Sequence, residues 1–188
     1  MEVSDSLLVA IMFVMILSIG IANILMALAV LIDRRTALKV DRLHTSWTVL
    51  LLLTYFNLFW HTTSLLTIED WTFSSFLFVI GGPVLILFAT NILLPDAVGE
   101  DLVDVRKHYF DSAGQFFLIL ALLMVWTIAV DFVLGDGITA AGGFNIAAAL
   151  VFLWLASTRQ AGPHNLGAVL GWALFLVSAG LRGWGIIG

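Results

Sequence analysis

Six long apolar runs dominate the chain, at 7–32, 45–67, 71–94, 113–134, 138–157 and 166–187. A helix rises about 1.5 Å per residue and the hydrocarbon core of a bilayer is about 30 Å thick, so about 20 apolar residues make one crossing. Each run meets that length. Only 11% of the residues are charged, whereas a soluble domain carries about 25% to clothe its surface. The expected fold is therefore all-α: an integral membrane bundle of six transmembrane helices, forming a single domain over 1–188, with the lipid bilayer as its partner.

The first run follows Glu2 and Asp5 and precedes Asp33, Arg34 and Arg35. That reverses the charge order of a signal peptide, so the run reads as a retained span. Arg34, Arg35, Lys39 and Arg42 fall in the first connection, Arg106 and Lys107 in the third and Arg159 in the fifth, against Arg182 alone on the other side. The positive-inside rule then puts these three connections in the cytoplasm and both termini outside it. The absence of cysteine excludes disulfides, thiolate metal sites and cysteine nucleophiles. A net charge of -5 with eight Lys and Arg leaves no polybasic stripe, so nucleic acid is not an expected partner.

The third connection is the long one. Val98, Leu102, Val105 and Tyr109 recur there at helical spacing with acids opposite, which predicts an amphipathic helix over about 97–111 lying on the cytoplasmic surface. Its polar face aligns Asp101, Asp104 and His108, two carboxylates and an imidazole that could hold one metal cation. A solvated acidic face, which any interfacial helix carries, explains the same pattern more simply.

Ionisable groups in lipid cost a few kcal/mol each, so polar residues inside the spans are the best pointers to function. Counted from the outer ends at about 1.5 Å per residue, Asp131 lies about 5 Å deep, Arg182 about 8 Å, His61 about 9 Å and Asn145 about 10 Å. Thr54, Asn57, His61 and Ser64 recur every three or four residues and form one stripe ending in that layer. Two readings are open. These side chains line an outer aqueous vestibule, with Asp131 and His61 exchanging protons or holding a cation beside Arg182; or Asp131 pairs with Arg182 while His61 and Asn145 only tie helices together.

Gly81, Gly82 and Pro83 stand near the middle of the third span. Pro83 lacks an N–H and two glycines precede it, so a kink or short break is expected, and broken helices at mid-membrane free backbone groups for a substrate. The last two spans carry Gly142, Gly143, Ala147, Ala148 and Ala149, then Gly167, Gly171, Ala179, Gly180 and Gly183. Such faces let helices approach closely, within one chain or between copies in a homo-oligomer. Trp47, Trp71 and Trp184 near span ends read as interfacial anchors.

Enzyme signatures are missing. There is no Gly-x-Ser-Gly nucleophile, Gly-x-Gly-Asp site, phosphate-binding glycine loop or zinc-protease helix motif. A haem needs two histidines at matched depth, yet only His61 lies within a span while His44, His108 and His164 lie at the cytoplasmic side. No cofactor is expected, and an enzyme is the third reading, confined to the 101–111 helix.

Trp71-Thr72-Phe73, Gly82-Pro83, Leu93-Leu94-Pro95-Asp96, Asp104-Val105-Arg106 and His108-Tyr109-Phe110 together give a resemblance. Over roughly 45–130 the chain resembles a group of uncharacterised bacterial multi-pass membrane proteins, which implies a bacterial cytoplasmic membrane and no particular chemistry. His61 departs from that group, where the position is aromatic. The leading functional expectation is permeation of an ion, proton or small solute through the polar layer of Asn57, His61, Asp131, Asn145 and Arg182. The alternative is a noncatalytic accessory or assembly protein that docks a membrane partner.

Overall fold

The computed structural model describes residues 4–33, 41–68, 70–95, 104–134 and 140–183. Its elements are α1 (Asp5–Asp33), α2 (Arg42–His61), α3 (Phe73–Leu93), α4 (Val105–Leu134), α5 (Ala140–Ala156) and α6 (Ala161–Gly183), with a 3-10 segment Thr62–Thr67 after α2. Among the described residues the fold is all-helical, and four helices are long and apolar enough to cross a membrane: α1, α2 with its 3-10 extension, α3 and α4. In these four, only 22% to 39% of the most apolar window is buried within the chain. Most of their apolar surface therefore faces outward, as for Met26, Phe73 and Phe132, an arrangement that suits hydrocarbon and not water.

Sequence features start the helices. Asp41 caps α2, its carboxylate accepting from the N–H groups of Leu43 and His44 at 2.9 and 3.1 Å. Thr72 and Ser75 close a capping box on α3. At the far end of α2 the hydroxyls of Thr62, Thr63 and Thr67 turn back onto carbonyls of the preceding turn, and the expected span to 67 ends as a tighter 3-10 segment.

Two expectations need correction. The described part of the 97–111 surface helix is not a separate element: residues 105–111 are the first turns of α4, a helix of 30 residues and about 45 Å. The physical reason is an unbroken apolar face, Val105, Tyr109, Ala113, Phe116, Phe117 and Leu120, all buried, with no helix breaker before Gly114. Asp104 starts it by accepting from the Lys107 N–H at 3.0 Å. Residues 97–103 lie outside the described ones. The break at Gly81-Gly82-Pro83 is also absent, since α3 is one helix with Pro83 inside it. Here the glycines serve packing. The Trp126 indole of α4 lies across Gly82, where a Cβ would overlap the ring, and its N–H donates to the Phe78 carbonyl at 2.8 Å, one residue before the Val79 carbonyl that Pro83 deprives of an in-helix donor.

Connected helices run antiparallel, so the C-termini of α1, α3 and α5 meet the N-termini of α2, α4 and α6 at what is here the lower end. α4 packs most extensively, on α5 and α3; α1 packs on α3; α2 touches α1, α3, α4 and α6. Gly20 of α1 leaves room for Tyr55 of α2, whose hydroxyl meets Thr90 of α3 at 2.8 Å. The Trp172 N–H donates to Ser46 at 2.9 Å and ties α6 to α2.

Candidate functional site

A cavity of about 130 Å³ opens between α2, α4, α5 and α6. Its polar lining is Thr54 and Asn57 from α2, Asn145 from α5 and Ser178 from α6; none of the described residues that line it is ionisable. Thr54 and Asn57, three residues apart, share one face of α2, and the Thr54 hydroxyl proton is committed to the Leu50 carbonyl at 2.9 Å. At about 30 Å³ per water, the volume suits roughly four waters or one small molecule. No protein group accepts from the buried Asn145 side-chain nitrogen.

An aromatic layer separates this cavity from the lower end. Gly171 contributes to the cavity wall, and a Cβ there would stand 3.0 Å from the Trp47 ring and 3.1 Å from Leu50. Trp47 meets Phe117 edge to face at 4.8 Å, with Phe152 at 6.0 Å and Phe116 at 6.2 Å. It is only 2% exposed. The expectation that Trp47 anchors at an interface is thus corrected: neighbouring rings on α4 and α5 enclose it.

Below the layer, three histidines hold carbonyls at helix ends. The His44 Nε2 lies 3.0 Å from the Leu93 carbonyl and the His108 Nε2 3.2 Å from that of Ile92. Both are among the last carbonyls of α3, which lack partners within the helix. The His164 Nε2 lies 3.0 Å from the Thr158 carbonyl, so it donates there, and its Nδ1 accepts from the Tyr109 hydroxyl at 2.8 Å. Arg106 approaches Asp41 at 3.6 Å. Sequence reasoning noticed these histidines but assigned them no partners. The signal was available, since α3 ends before Pro95 with orphan carbonyls that imidazoles on adjacent helices can reach.

The polar residues expected to act together separate into groups. Asn57 and Asn145 share the cavity, joined by Thr54 and by Ser178, which the sequence did not single out. His61 is the last residue of α2 and is exposed, Asp131 is partly buried near the end of α4, and neither lines the cavity. Arg182 lies in α6, its side chain outside the described ones. Of the expected metal trio, Asp101 lies outside the described residues, Asp104 caps α4 and His108 turns to Ile92. Among the described residues no group of three acids or histidines could hold a metal ion. Trp184 lies outside the described residues, and Trp71 is partly buried with its indole nitrogen enclosed. Compared with known proteins, the chain matches no family model, no curated protein and no solved structure.

Proposed function

We propose that this chain is a multi-pass protein of a bacterial cytoplasmic membrane, with both termini outside the cytoplasm, and that it passes a small uncharged polar solute by way of the cavity between α2, α4, α5 and α6. The reading rests on one observation: Thr54, Asn57, Asn145 and Ser178 converge on that cavity from three helices. A charged solute would find no counter-ion among those side chains and would bear a large desolvation cost. The lining therefore favours a neutral solute over the ion or proton otherwise expected. The aromatic layer around Trp47 closes the lower side in this state.

The test is stopped-flow light scattering on proteoliposomes challenged with urea and with glycerol. Wild type should re-swell faster than protein-free vesicles, and Asn145→Leu, which replaces a polar amide of the lining with an apolar side chain of similar shape, should return the rate to background with normal insertion. Equal rates for wild type and empty vesicles with both solutes would end the proposal. A second reading, docking of a membrane partner or a second copy, is favoured by Gly143 and Gly180, which face open space instead of another helix of the chain. Chemical crosslinking in native membranes separates the two readings.

A further inference from the structure

We propose that the upper end of the bundle binds one phospholipid whose headgroup ends in a primary ammonium, with an acyl chain in a groove between α1 and the start of α3 and the ammonium at Asp5. The groove measures about 490 Å³ and lies open along one side, a volume typical of sites that take one small ligand (about 300–1,000 Å³). One wall is the face of α1 from Asp5 through Leu8 and Met12 to Met15, and the other is Trp71 and Phe73. Ten residues of helix rise about 15 Å, half the roughly 30 Å of a hydrocarbon core, so the groove is as long as one leaflet is deep. The Ser6 hydroxyl donates to the Ile68 carbonyl at 2.5 Å and ties the start of α1 to the segment that leads into Trp71. Unbranched methionines on the α1 wall adapt their shape to a flexible chain.

The rim selects the headgroup. Asp5 is the one ionisable residue among the described ones that line the groove, and the exposed Asp70 directly precedes Trp71. No described cation pairs with the Asp5 carboxylate. The other polar group of the lining, the Thr72 hydroxyl, is occupied by Ser75 in the α3 capping box. The described Lys and Arg side chains, Arg42, Arg106, Lys107 and Arg159, all stand at the lower end. The two carboxylates outweigh the partial positive charges at the starts of α1 and α3, about half a charge each. The rim is therefore negative, so it repels an anionic headgroup and draws an ammonium. A second copy seated here through the same surface would set its own Asp5 against this one, like charge against like.

Native mass spectrometry of the whole chain, purified in detergent and mixed with equal amounts of phosphatidylethanolamine and phosphatidylglycerol of the same acyl chains, tests the site. The first lipid bound to wild type should be phosphatidylethanolamine with about a twofold to fivefold preference, the range that an exposed ion pair supports. Asp5→Asn keeps the shape of the rim and removes its charge, so both lipids should still bind and most of the preference should disappear. Met12 is 44% exposed, so Met12→Trp leaves the core intact while filling the groove, and the first lipid adduct should be lost with either headgroup. Equal binding of the two lipids to wild type, an unchanged preference in Asp5→Asn, an undiminished adduct in Met12→Trp, or a dimer that carries no lipid would each overturn the proposal. The site requires the membrane placement but not permeation, and solute flux does not enter this readout, so the two readings fail or stand separately.

Discussion

Two buried tyrosines bond polar side chains at the same distance, yet their hydroxyls should differ in worth. Tyr109 and Tyr55 are both 0% exposed, and each hydroxyl lies 2.8 Å from its partner, His164 Nδ1 for Tyr109 and Thr90 Oγ1 for Tyr55. The partners differ in what remains after the hydroxyl is removed. His164 uses its Nε2–H on the Thr158 carbonyl, so its Nδ1 is an acceptor with Tyr109 as sole donor. Tyr109→Phe leaves that buried lone pair unmatched, at a cost of about 2 kcal/mol. Thr90 keeps its own proton on the Ile86 carbonyl at 2.9 Å, so Tyr55→Phe leaves only a hydroxyl lone pair unmatched, a weaker acceptor than an imidazole nitrogen, and should cost about 0.5 to 1 kcal/mol. For a chain of this length these convert to falls in melting temperature of about 4–8 °C and about 1–4 °C. Thermal unfolding of the two variants in one detergent, followed by intrinsic fluorescence, is the assay. Equal shifts, or a larger shift for Tyr55→Phe, would refute the assignment of His164 as a one-donor acceptor.

Other substitutions probe the helix contacts. Gly82→Val places a branched side chain where the Trp126 ring lies, so it should lower stability by about 1–3 kcal/mol, and Trp126→Ala in the same chain should recover part of that loss in a double-mutant cycle. Asp41→Ala should cost about 1 kcal/mol by removing the α2 cap, whereas Asp41→Asn, which caps equally well, should cost less. The Arg106 partner is 60% exposed and contributes little, so a loss in Asp41→Asn as large as in the alanine variant, in thermal unfolding, would show that the ion pair matters more than the cap.

The sequence by itself located the six long apolar runs, and a helix of the described residues lies on each of them, because run length, capping residues and breakers act within a few residues of chain. It also marked Asn57 and Asn145 as polar groups within apolar runs. What it could not determine was which faces meet. The periodicity that suggested a surface helix at 97–111 continues without interruption into the next run, and only the packing of Val105 and Tyr109 into the bundle makes 105–134 one helix. Gly82 and Pro83 read alike as a break or as a seat for a neighbour's ring until Trp126 is seen against them. The cavity and the histidine contacts at the end of α3 are likewise tertiary. Asn57 and Asn145 are 88 positions apart and His44 and Leu93 are 49 positions apart, and a local pattern carries no information about which of several helices will supply the other half of a pair.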